Sequence, residues 1–366
     1  MAYEKELRIA QLAVARAAIL TKAVFREKAK GTVSKDDKSP VTVGDFGAQA
    51  LIIAAIKHNF PEDEVVGEEE ASSLRTDTAL SARVWNLVKE VRLTDPESDA
   101  AVGGPIKSEA DMLDAIDKGN SAGGPKGRIW ALDPIDGTKG FLRGGQYAVC
   151  LALLVDGDVH VGVLGCPNLP VDDKQPLPDD IGTVVIAEDS DSSSAPTHGV
   201  LFSAVKGEGA TSQPLTARGA PAASAAATPI HVSRISDVKQ ATLCESVEPG
   251  HSSKGDNALI SEKLGITRRP VQMDSQAKYG SVARGAGDLY LRLPVLKNYV
   301  EKIWDHAAGD LLVREAGGQV TDINGKRLDF SRGRTLTENK GVVASPRDVH
   351  AEVLKAVQEV LSAKNQ

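Results

Sequence analysis

Two carboxylates that follow an apolar run are the strongest chemical signal in this sequence. Residues 129–132 predict a short buried strand, and Asp133 and Asp136 come directly after it, separated by a Pro-Ile pair. Gly137 and Thr138 then open a predicted helical turn, whose first N–H groups are free to bind phosphate. Carboxylate oxygens suit Mg²⁺ rather than zinc. The pattern therefore indicates metal-assisted attack of water on a phosphate ester.

The same segment, residues 130–138, also has an interpretation without chemistry. Asp-Pro and Asp-Gly pairs are common turn formers, so the segment can equally consist of two consecutive turns with solvated acids. The choice between these interpretations depends on whether other acidic groups of the chain accompany this one.

Three further acidic clusters stand next to predicted elements. Glu68 lies in a run of three glutamates after the strand-like residues 65–67, Asp45 lies near the start of an amphipathic helix, and Asp305 opens another helix. Each cluster alone has a plainer explanation, which is surface charge for Glu68 and helix N-capping for Asp45 and Asp305. Capping is the expected role of any lone Asp at a helix start.

Taken together, these clusters resemble a known family. The chain is similar to the lithium-sensitive, Mg²⁺-dependent phosphatases that include inositol monophosphatase and fructose-1,6-bisphosphatase. Within that group it looks most like the 3′(2′),5′-bisphosphate nucleotidases of the fungal and plant salt-tolerance type. The superfamily pattern is carried by residues 67–69 (GEE), 133–138 (DPIDGT) and 304–309 (WDHAAG). The narrower match rests on residues 39–45 (SPVTVGD), 250–253 (GHSS), 274–279 (DSQAKY) and 289–294 (LYLRLP).

The resemblance implies a site for two Mg²⁺ ions. Its ligands are the carboxylates and one main-chain carbonyl of Glu68, Asp133, Ile135, Asp136 and Asp305. One ion lowers the pKa of a bound water, and the other stabilises the leaving oxygen.

The resemblance also implies how the water is activated. Asp45 and Thr138 form the pair that takes the proton from the attacking water, and the N–H groups of Gly137 and Thr138 hold the departing phosphate. Asp45 and Glu68 share a third metal, which Asp36 or Asp37 of the preceding polar loop also reaches.

Four residues match positions that contact the adenosine and its 5′-phosphate in the resembling nucleotidases: His251, Ser275, Lys278 and Arg292. A 5′-phosphate that is bound but not cleaved needs fixed donors, which Ser, Lys and Arg provide. Spacing alone favours a different interpretation of His251, as a loop histidine without a ligand.

The resemblance therefore predicts hydrolysis of the 3′-phosphate of adenosine 3′,5′-bisphosphate to AMP and phosphate. It implies 3′-phosphoadenylyl sulfate as a second substrate, inhibition by Li⁺ and Na⁺, and roles in sulfate assimilation and salt tolerance. An inositol phosphate phosphatase with the same metal core is the alternative enzyme. A nucleotide-binding sensor without turnover is the alternative outside enzymes.

Composition agrees with a small-molecule enzyme of the cytoplasm. Aromatic residues are only 4% and the net charge is −7, which argue against stacking on single strands and against binding of nucleic-acid backbones. Cys150, Cys166 and Cys244 are odd in number and widely spaced, so we expect reduced thiols rather than zinc or disulfides. The sequence shows no membrane span or secretory segment, and we expect a monomer.

The 366 residues exceed the usual size of one domain. We expect a metal-binding α+β domain over 1–165, hairpin strands and surface insertions over 166–230, and an α/β domain over 231–366. Helices are predicted over 3–27, 46–59, 74–92, 109–118, 256–264, 275–286 and 350–362, and one from Asp305. Strands are predicted over 129–132, 147–155, 159–165, 183–187, 200–205, 241–245, 269–273, 288–293 and 341–344.

Strand–helix alternation beyond residue 230 predicts a mostly parallel second sheet. The first sheet is expected to be antiparallel, and the resemblance implies that the two sheets form a layered αβαβα sandwich. Residues 171–182, 189–197 and 217–228 are polar or rich in Ala and Ser, and they are predicted to be surface insertions.

Overall fold

Two long helices form the outer layer of the N-terminal part in the computed structural model. The model describes residues 2–27, 42–172, 177–178, 181, 197–215, 227–248, 253–295 and 299–364. Helix α1 covers Glu4–Glu27 and α2 covers Val43–Asn59, as their apolar spacing predicts. Helix α1 packs on strands of the first sheet and on α2.

Four shorter helices follow α2: α3 Ser72–Thr76, α4 Thr78–Val88, α5 Pro96–Ala101 and α6 Glu109–Asp117. The single helix predicted over 74–92 is broken at Asp77, whose side chain accepts from Leu80 N at 2.9 Å and so begins a new helix. Helix α5 begins after Asp95, because the Asp95 side chain caps it and Pro96 stands at its start.

Among the residues that the structure describes, the first sheet has seven strands in sequence order. They are β1 Glu64–Gly67, β2 Arg128–Asp136, β3 Ala148–Val155, β4 Asp158–Pro170, β5 His198–Val205, β6 Gly209–Pro214 and β7 Thr228–Ile230. Strand β1 is parallel to β2, and the other pairings among the described strands are antiparallel. Asp156 and Gly157 have positive φ and form the tight turn predicted between β3 and β4.

The described part of the second sheet has five strands in the order β11-β12-β10-β8-β9. They are β8 Leu243–Glu245, β9 Val271–Gln272, β10 Leu289–Arg292, β11 Gly318–Thr321 and β12 Val342–Pro346. The three strands expected from the strand–helix rhythm, β8, β9 and β10, are parallel. Strands β11 and β12 add antiparallel pairings, so the sheet is mixed.

The helices of this part are α8 Lys254–Leu264, α9 Ala277–Ala283, α10 Ala307–Glu315 and α11 Arg347–Lys364. Helices α9 and α10 contact strands of both sheets, and α11 covers the outer face of the second sheet together with α8. Side chains along β10 alternate accordingly, since Leu289 and Leu291 face α8 and α11 while Tyr290 faces the inner layer. This arrangement confirms the predicted αβαβα sandwich.

One predicted strand and most of the predicted insertions lie outside the described residues. The strand predicted over 183–187 lies outside the described residues, as do most of 171–182, 189–197 and 217–228. Strand β4 continues through residue 165, and the division into three regions at 165 and 230 stays a prediction. Among the described residues, no helix is both long and apolar enough to cross a membrane.

Candidate active site

Three aspartates converge between the two sheets. One carboxylate oxygen each from Asp133, Asp136 and Asp305 lies within 4.8 Å of the others. Asp133 and Asp136 can both take part because β2 changes register against β3 between them. Asp305 stands two residues before α10, which begins at Ala307. The predictions that Asp305 starts or caps this helix are therefore wrong.

Glu68, at the end of β1, completes the cluster. Its carboxyl group interacts with that of Asp133. Desolvation of the Glu68 carboxyl group raises its pKa well above the usual range, although the residue as a whole is exposed. The charges of Glu69, Asp305 and Asp45 raise that pKa further.

The other carboxylates show the same crowding. Burial and then the charge of Glu68 raise the pKa of Asp133 well above its usual range. Burial raises the pKa of Asp136 to about 6, and Asp305 adds to the rise. Burial also raises the pKa of Asp305. A divalent cation among these carboxylates would relieve their repulsion, and a set of oxygen ligands fits Mg²⁺.

The segment between the two aspartates is held by its own hydrogen bonds. Ile135 N donates to Asp133 Oδ1 at 3.1 Å, and Thr138 Oγ1 donates to the Ile135 carbonyl at 3.1 Å. A carbonyl oxygen has two lone pairs, so Ile135 can accept from Thr138 and still bind a cation.

Asp45 lies at the start of α2, as a capping residue would. Its Oδ2 accepts from Thr42 N at 2.8 Å and from Thr42 Oγ1 at 2.6 Å, which completes a capping box. The N-cap of α2 is therefore Thr42, and the prediction that Asp45 is the N-cap is wrong. Asp45 is the third residue of the helix and supports the cap, while its charge also reaches Glu68. The pairing of Asp45 with Thr138 stays a prediction.

The turn that follows Asp136 meets the segment of residues 274–279. Gly137 has a φ of +82° and precedes helix α7, Thr138–Arg143. Gln276 N donates to Asp136 Oδ2 at 2.5 Å, and Ser275 is itself left-handed with a φ of +72°. Ser275, predicted to contact substrate, therefore lies beside the carboxylate cluster.

Two cations interact with Asp136 of the cluster. Lys278 is buried, its Nζ donates to Met273 O at 3.3 Å, and desolvation lowers its pKa against the opposing effect of Asp274. Arg292 is held by Glu301, with Nε 2.7 Å from Oε2. Both cations lower the pKa of Asp136, so both lie near it. His251 lies outside the described residues.

Sequence reasoning missed several residues that support these groups. Glu301 forms an ion pair with Arg292 and also contacts His306 Nε2 at 3.1 Å, while His306 Nδ1 lies 2.9 Å from Tyr279 Oη. The proximity of Glu301 to Asp305 in the sequence was the available signal. Gln276 joins two segments, since its Nε2 donates to Trp304 O at 2.8 Å.

An ion-pair network connects α7 to Glu248 and to Asp274, which directly precedes Ser275. Arg143 pairs with Asp274 and with Glu248, and Lys139 Nζ lies 3.5 Å from Glu248 Oε2. Residues 139 and 143 lie one helical turn apart, but their partners are more than 100 positions away in the sequence, so no local pattern indicates the contact.

Similarity to known proteins extends over nearly the whole chain. The model of the inositol monophosphatase family matches residues 3–362. A 3′(2′),5′-bisphosphate nucleotidase of Emericella nidulans is 64% identical over 361 residues, which cover 99% of each chain. One of Schizosaccharomyces pombe is 46% identical over 367 residues, covering 99% of this chain and 97% of that one.

Solved structures with this fold have much lower sequence identity. An inositol monophosphatase from Anabaena superposes with a TM-score of 0.57 at 18% identity, covering 99% of this chain and all (100%) of its own. An IMPase from Thermotoga maritima gives a TM-score of 0.57 at 19% identity, with 98% of both chains covered. These two structures support the fold alone.

Proposed function

Because the chain belongs to the inositol monophosphatase family, we propose that it is a Mg²⁺-dependent phosphatase that removes the 3′-phosphate from adenosine 3′,5′-bisphosphate, releasing AMP. The observation that carries this proposal is the convergence of Asp133, Asp136 and Asp305 on one point, with Lys278 and Arg292 beside it. The site thus combines carboxylates that can bind a metal with cations that can bind a second phosphate. The names of the fungal relatives support the same substrate.

The proposed metal site holds two Mg²⁺ ions. Glu68, Asp133, Asp136, Asp305 and the Ile135 carbonyl hold them, and Asp45 with Glu68 holds a third at higher Mg²⁺ concentration. Bound Mg²⁺ supplies a water of lowered pKa and stabilises charge on the leaving oxygen. The crowded carboxylates support this assignment, because their raised pKa values indicate a site built for positive charge.

The protein's own groups orient the reactants. Thr138 Oγ1 holds the attacking water and passes its proton towards Asp45, while the N–H groups of Gly137 and Thr138 bind the phosphate that leaves. Ser275, Lys278 and Arg292 bind the 5′-phosphate, and His251 contacts the adenine. The 5′-phosphate is held and not cleaved because Ser275, Lys278 and Arg292 bind it, whereas the metal site acts on the 3′-phosphate.

The finer features of the activity are also proposals. 3′-Phosphoadenylyl sulfate is a second substrate, since its sulfated 5′ group carries similar charge. Li⁺ and Na⁺ inhibit because a monovalent ion in the second metal site cannot stabilise the leaving oxygen. The enzyme then acts in sulfate assimilation and contributes to salt tolerance, as a monomer in the cytoplasm. Three buried, unpaired cysteines agree with a reducing compartment.

An inositol phosphate phosphatase is the second candidate. It would use the same carboxylates, and the solved structures that share the fold include inositol monophosphatases. Lys278 and Arg292 favour the nucleotide, because their positive charges can bind a second phosphate, which inositol 1-phosphate lacks. A sensor without turnover is disfavoured by the presence of every acid that the metal site needs.

The test is phosphate release from adenosine 3′,5′-bisphosphate and from inositol 1-phosphate, with Mg²⁺ and with or without millimolar Li⁺. We expect rapid, lithium-blocked release from the nucleotide, and loss of that release in Asp133→Asn. Preference for inositol 1-phosphate would retain the metal site and reject the nucleotide pocket. If the parent protein and Asp133→Asn release phosphate equally slowly from both, the enzyme proposal is wrong.

A further inference from the structure

The main chain around Glu68 is held on both sides by side chains from distant parts of the sequence. After Glu68, the side-chain amide of Gln49 donates to Glu69 O at 2.6 Å and accepts from Glu69 N at 3.0 Å. Before Glu68, Arg334 Nη2 donates to Gly67 O at 2.6 Å. The position of the Glu68 carboxylate therefore depends on two buried or half-buried polar groups.

Arg334 has further contacts on the Glu68 side. Its Nη1 donates to Ser121 O at 2.9 Å and to Gly119 O at 3.3 Å. Residues 119–121 lie along β1, where Gly67 N donates to Gly119 O at 2.8 Å. One planar guanidinium thus binds three carbonyl oxygens at the end of this strand, a geometry that a single ammonium group cannot reproduce.

Arg334 is equally attached to the Asp305 side. Ile303 N donates to Arg334 O at 3.2 Å, and the neighbouring residues Lys302 and Thr335 form an antiparallel bridge. The Arg334 guanidinium also lies 4.9 Å from the centre of the Trp304 ring, directly before Asp305. The backbone of Arg334 is therefore bonded to the segment that precedes Asp305, while its side chain holds the chain next to Glu68.

We infer that Arg334 is a positioning residue for the metal site, which sets the separation between Glu68 and Asp305. Glu68 follows a strand of the first sheet, whereas Asp305 follows a segment bridged to the loop before β12. These two ligands come from separate parts of the chain, and Arg334 joins them directly. Partners that orient metal ligands typically affect metal affinity about 10–100-fold. The identity of the ion, Mg²⁺, rests on the proposed function.

Calorimetric titration of the full chain with Mg²⁺, without substrate, tests this inference. Arg334→Met keeps an unbranched side chain but removes the guanidinium and all three carbonyl contacts, and we expect its Mg²⁺ affinity to fall about tenfold or more. Arg334→Lys should lie between this variant and the parent. Arg332→Met is the matched control, because Arg332 is exposed and pairs only locally, with Asp329 at 2.8 Å.

A positioning role predicts a specific pattern in kinetics as well. The Mg²⁺ concentration needed for half-maximal phosphate release should rise in Arg334→Met, while KM for the nucleotide at saturating Mg²⁺ stays that of the parent. Far-UV circular dichroism and the Tm without Mg²⁺ separate this effect from general loss of structure. If Arg334→Met does not fold, the titration of Arg334→Lys decides.

Parental Mg²⁺ affinity in Arg334→Met, or in Arg334→Lys where only that variant folds, would overturn the inference and leave the proposed function standing. An equal loss in Arg332→Met would also overturn it, since the effect would then be one of surface charge. A parent that binds Mg²⁺ but does not hydrolyse the nucleotide would reject the proposed function, and the same titrations would still decide the role of Arg334. A parent that binds no Mg²⁺ would overturn both.

Discussion

The backbone of Gly137 lies so close to Ser275 that a β-carbon at position 137 would be 2.9 Å from the β-carbon of Ser275. Gly137 also has a φ of +82°, which residues with side chains rarely adopt. The contact brings the proposed phosphate-binding turn against the segment proposed to bind the 5′-phosphate. The distance between the two proposed phosphate sites therefore depends on the absence of a β-carbon at residue 137.

Gly137→Ala should reduce both stability and activity. The left-handed backbone costs an alanine about 1–2 kcal/mol, and the clash must also displace Ser275. We expect kcat/KM for adenosine 3′,5′-bisphosphate to fall at least about tenfold, since roughly 1.4 kcal/mol of lost transition-state binding gives that factor. Steady-state kinetics and urea unfolding measure the two effects.

Gly207→Ala is the control for backbone strain. Gly207 has a φ of +80°, and a β-carbon there would meet nothing within 4 Å. It should lose stability as Gly137→Ala does and retain parental kinetics. Equal kinetics in the two variants would show that the contact with Ser275 does not matter.

Glu301→Gln should weaken recognition of a 5′-phosphate. Glu301 Oε2 lies 2.7 Å from Arg292 Nε, in an environment where both side chains are largely buried. Replacing the carboxylate by an amide removes a charge-assisted bond, so Arg292 is held less firmly. We expect KM for adenosine 3′,5′-bisphosphate to rise about tenfold, in line with roughly 1.5 kcal/mol for such a bond.

The control for this prediction is a second substrate rather than a second variant. Adenosine 3′-monophosphate lacks the 5′-phosphate, so its kcat/KM should be the same for Glu301→Gln and the parent. Glu301 also lies near Asp305 and His306. A parallel loss with both substrates would therefore indicate damage to the metal site and contradict the role assigned to Arg292.

His350 makes the stability of the second sheet sensitive to acid. Its ring nitrogens contact Thr321 Oγ1 at 2.9 Å and Ser345 Oγ at 2.8 Å, and burial lowers its pKa to about 4. The unfolded chain then binds a proton at a higher pH than the folded protein does. Stability should fall as the pH drops from about 6.5 towards 4, by an amount on the order of 2 kcal/mol.

The contribution of His350 has to be separated from that of the acidic cluster. Carboxylates with raised pKa values, such as Asp136 at about 6, act in the opposite sense, because the folded protein binds their protons more readily. The measurement is therefore urea unfolding of the parent and of His350→Gln at pH 7.5 and pH 5. The parent should lose more stability between these values than the variant; an equal loss in both would contradict the prediction.

Local patterns in the sequence predicted most of this fold. Helix α1 and the β3–β4 hairpin follow from apolar spacing and an Asp-Gly turn, both of which involve near neighbours. The break at Asp77 was missed because a capping Asp looks the same as a solvated one until its partner is known. Periodicity therefore locates elements better than it locates their ends.

The candidate site was predictable in a different way. The acids Asp133, Asp136 and Asp305 could be named because their motifs resemble those of a family. Arg334 could not, because its contact with Gly67 joins positions 267 residues apart and leaves no local pattern. Long-range contacts of this kind depend on the packing of the two sheets, which composition and periodicity do not specify.

Asp45 is the residue for which the structural and catalytic explanations compete most directly. As the third residue of α2 it completes a capping box with Thr42, and removal of such a cap costs about 1 kcal/mol. The proposed mechanism also gives it the proton of the attacking water. A cap contributes to stability alone, whereas a group that accepts a proton during reaction contributes typically 10²–10⁴-fold to rate.

Asp45→Asn and Thr42→Ala together separate these roles. Both variants disturb the capping box, so each should lose on the order of 1 kcal/mol in urea unfolding. If Asp45 takes the proton, Asp45→Asn should lose at least about 100-fold in kcat at saturating Mg²⁺, whereas Thr42→Ala should stay close to the parent. Similar kcat values in the two variants would leave Asp45 as a helix cap and require another group to accept the proton.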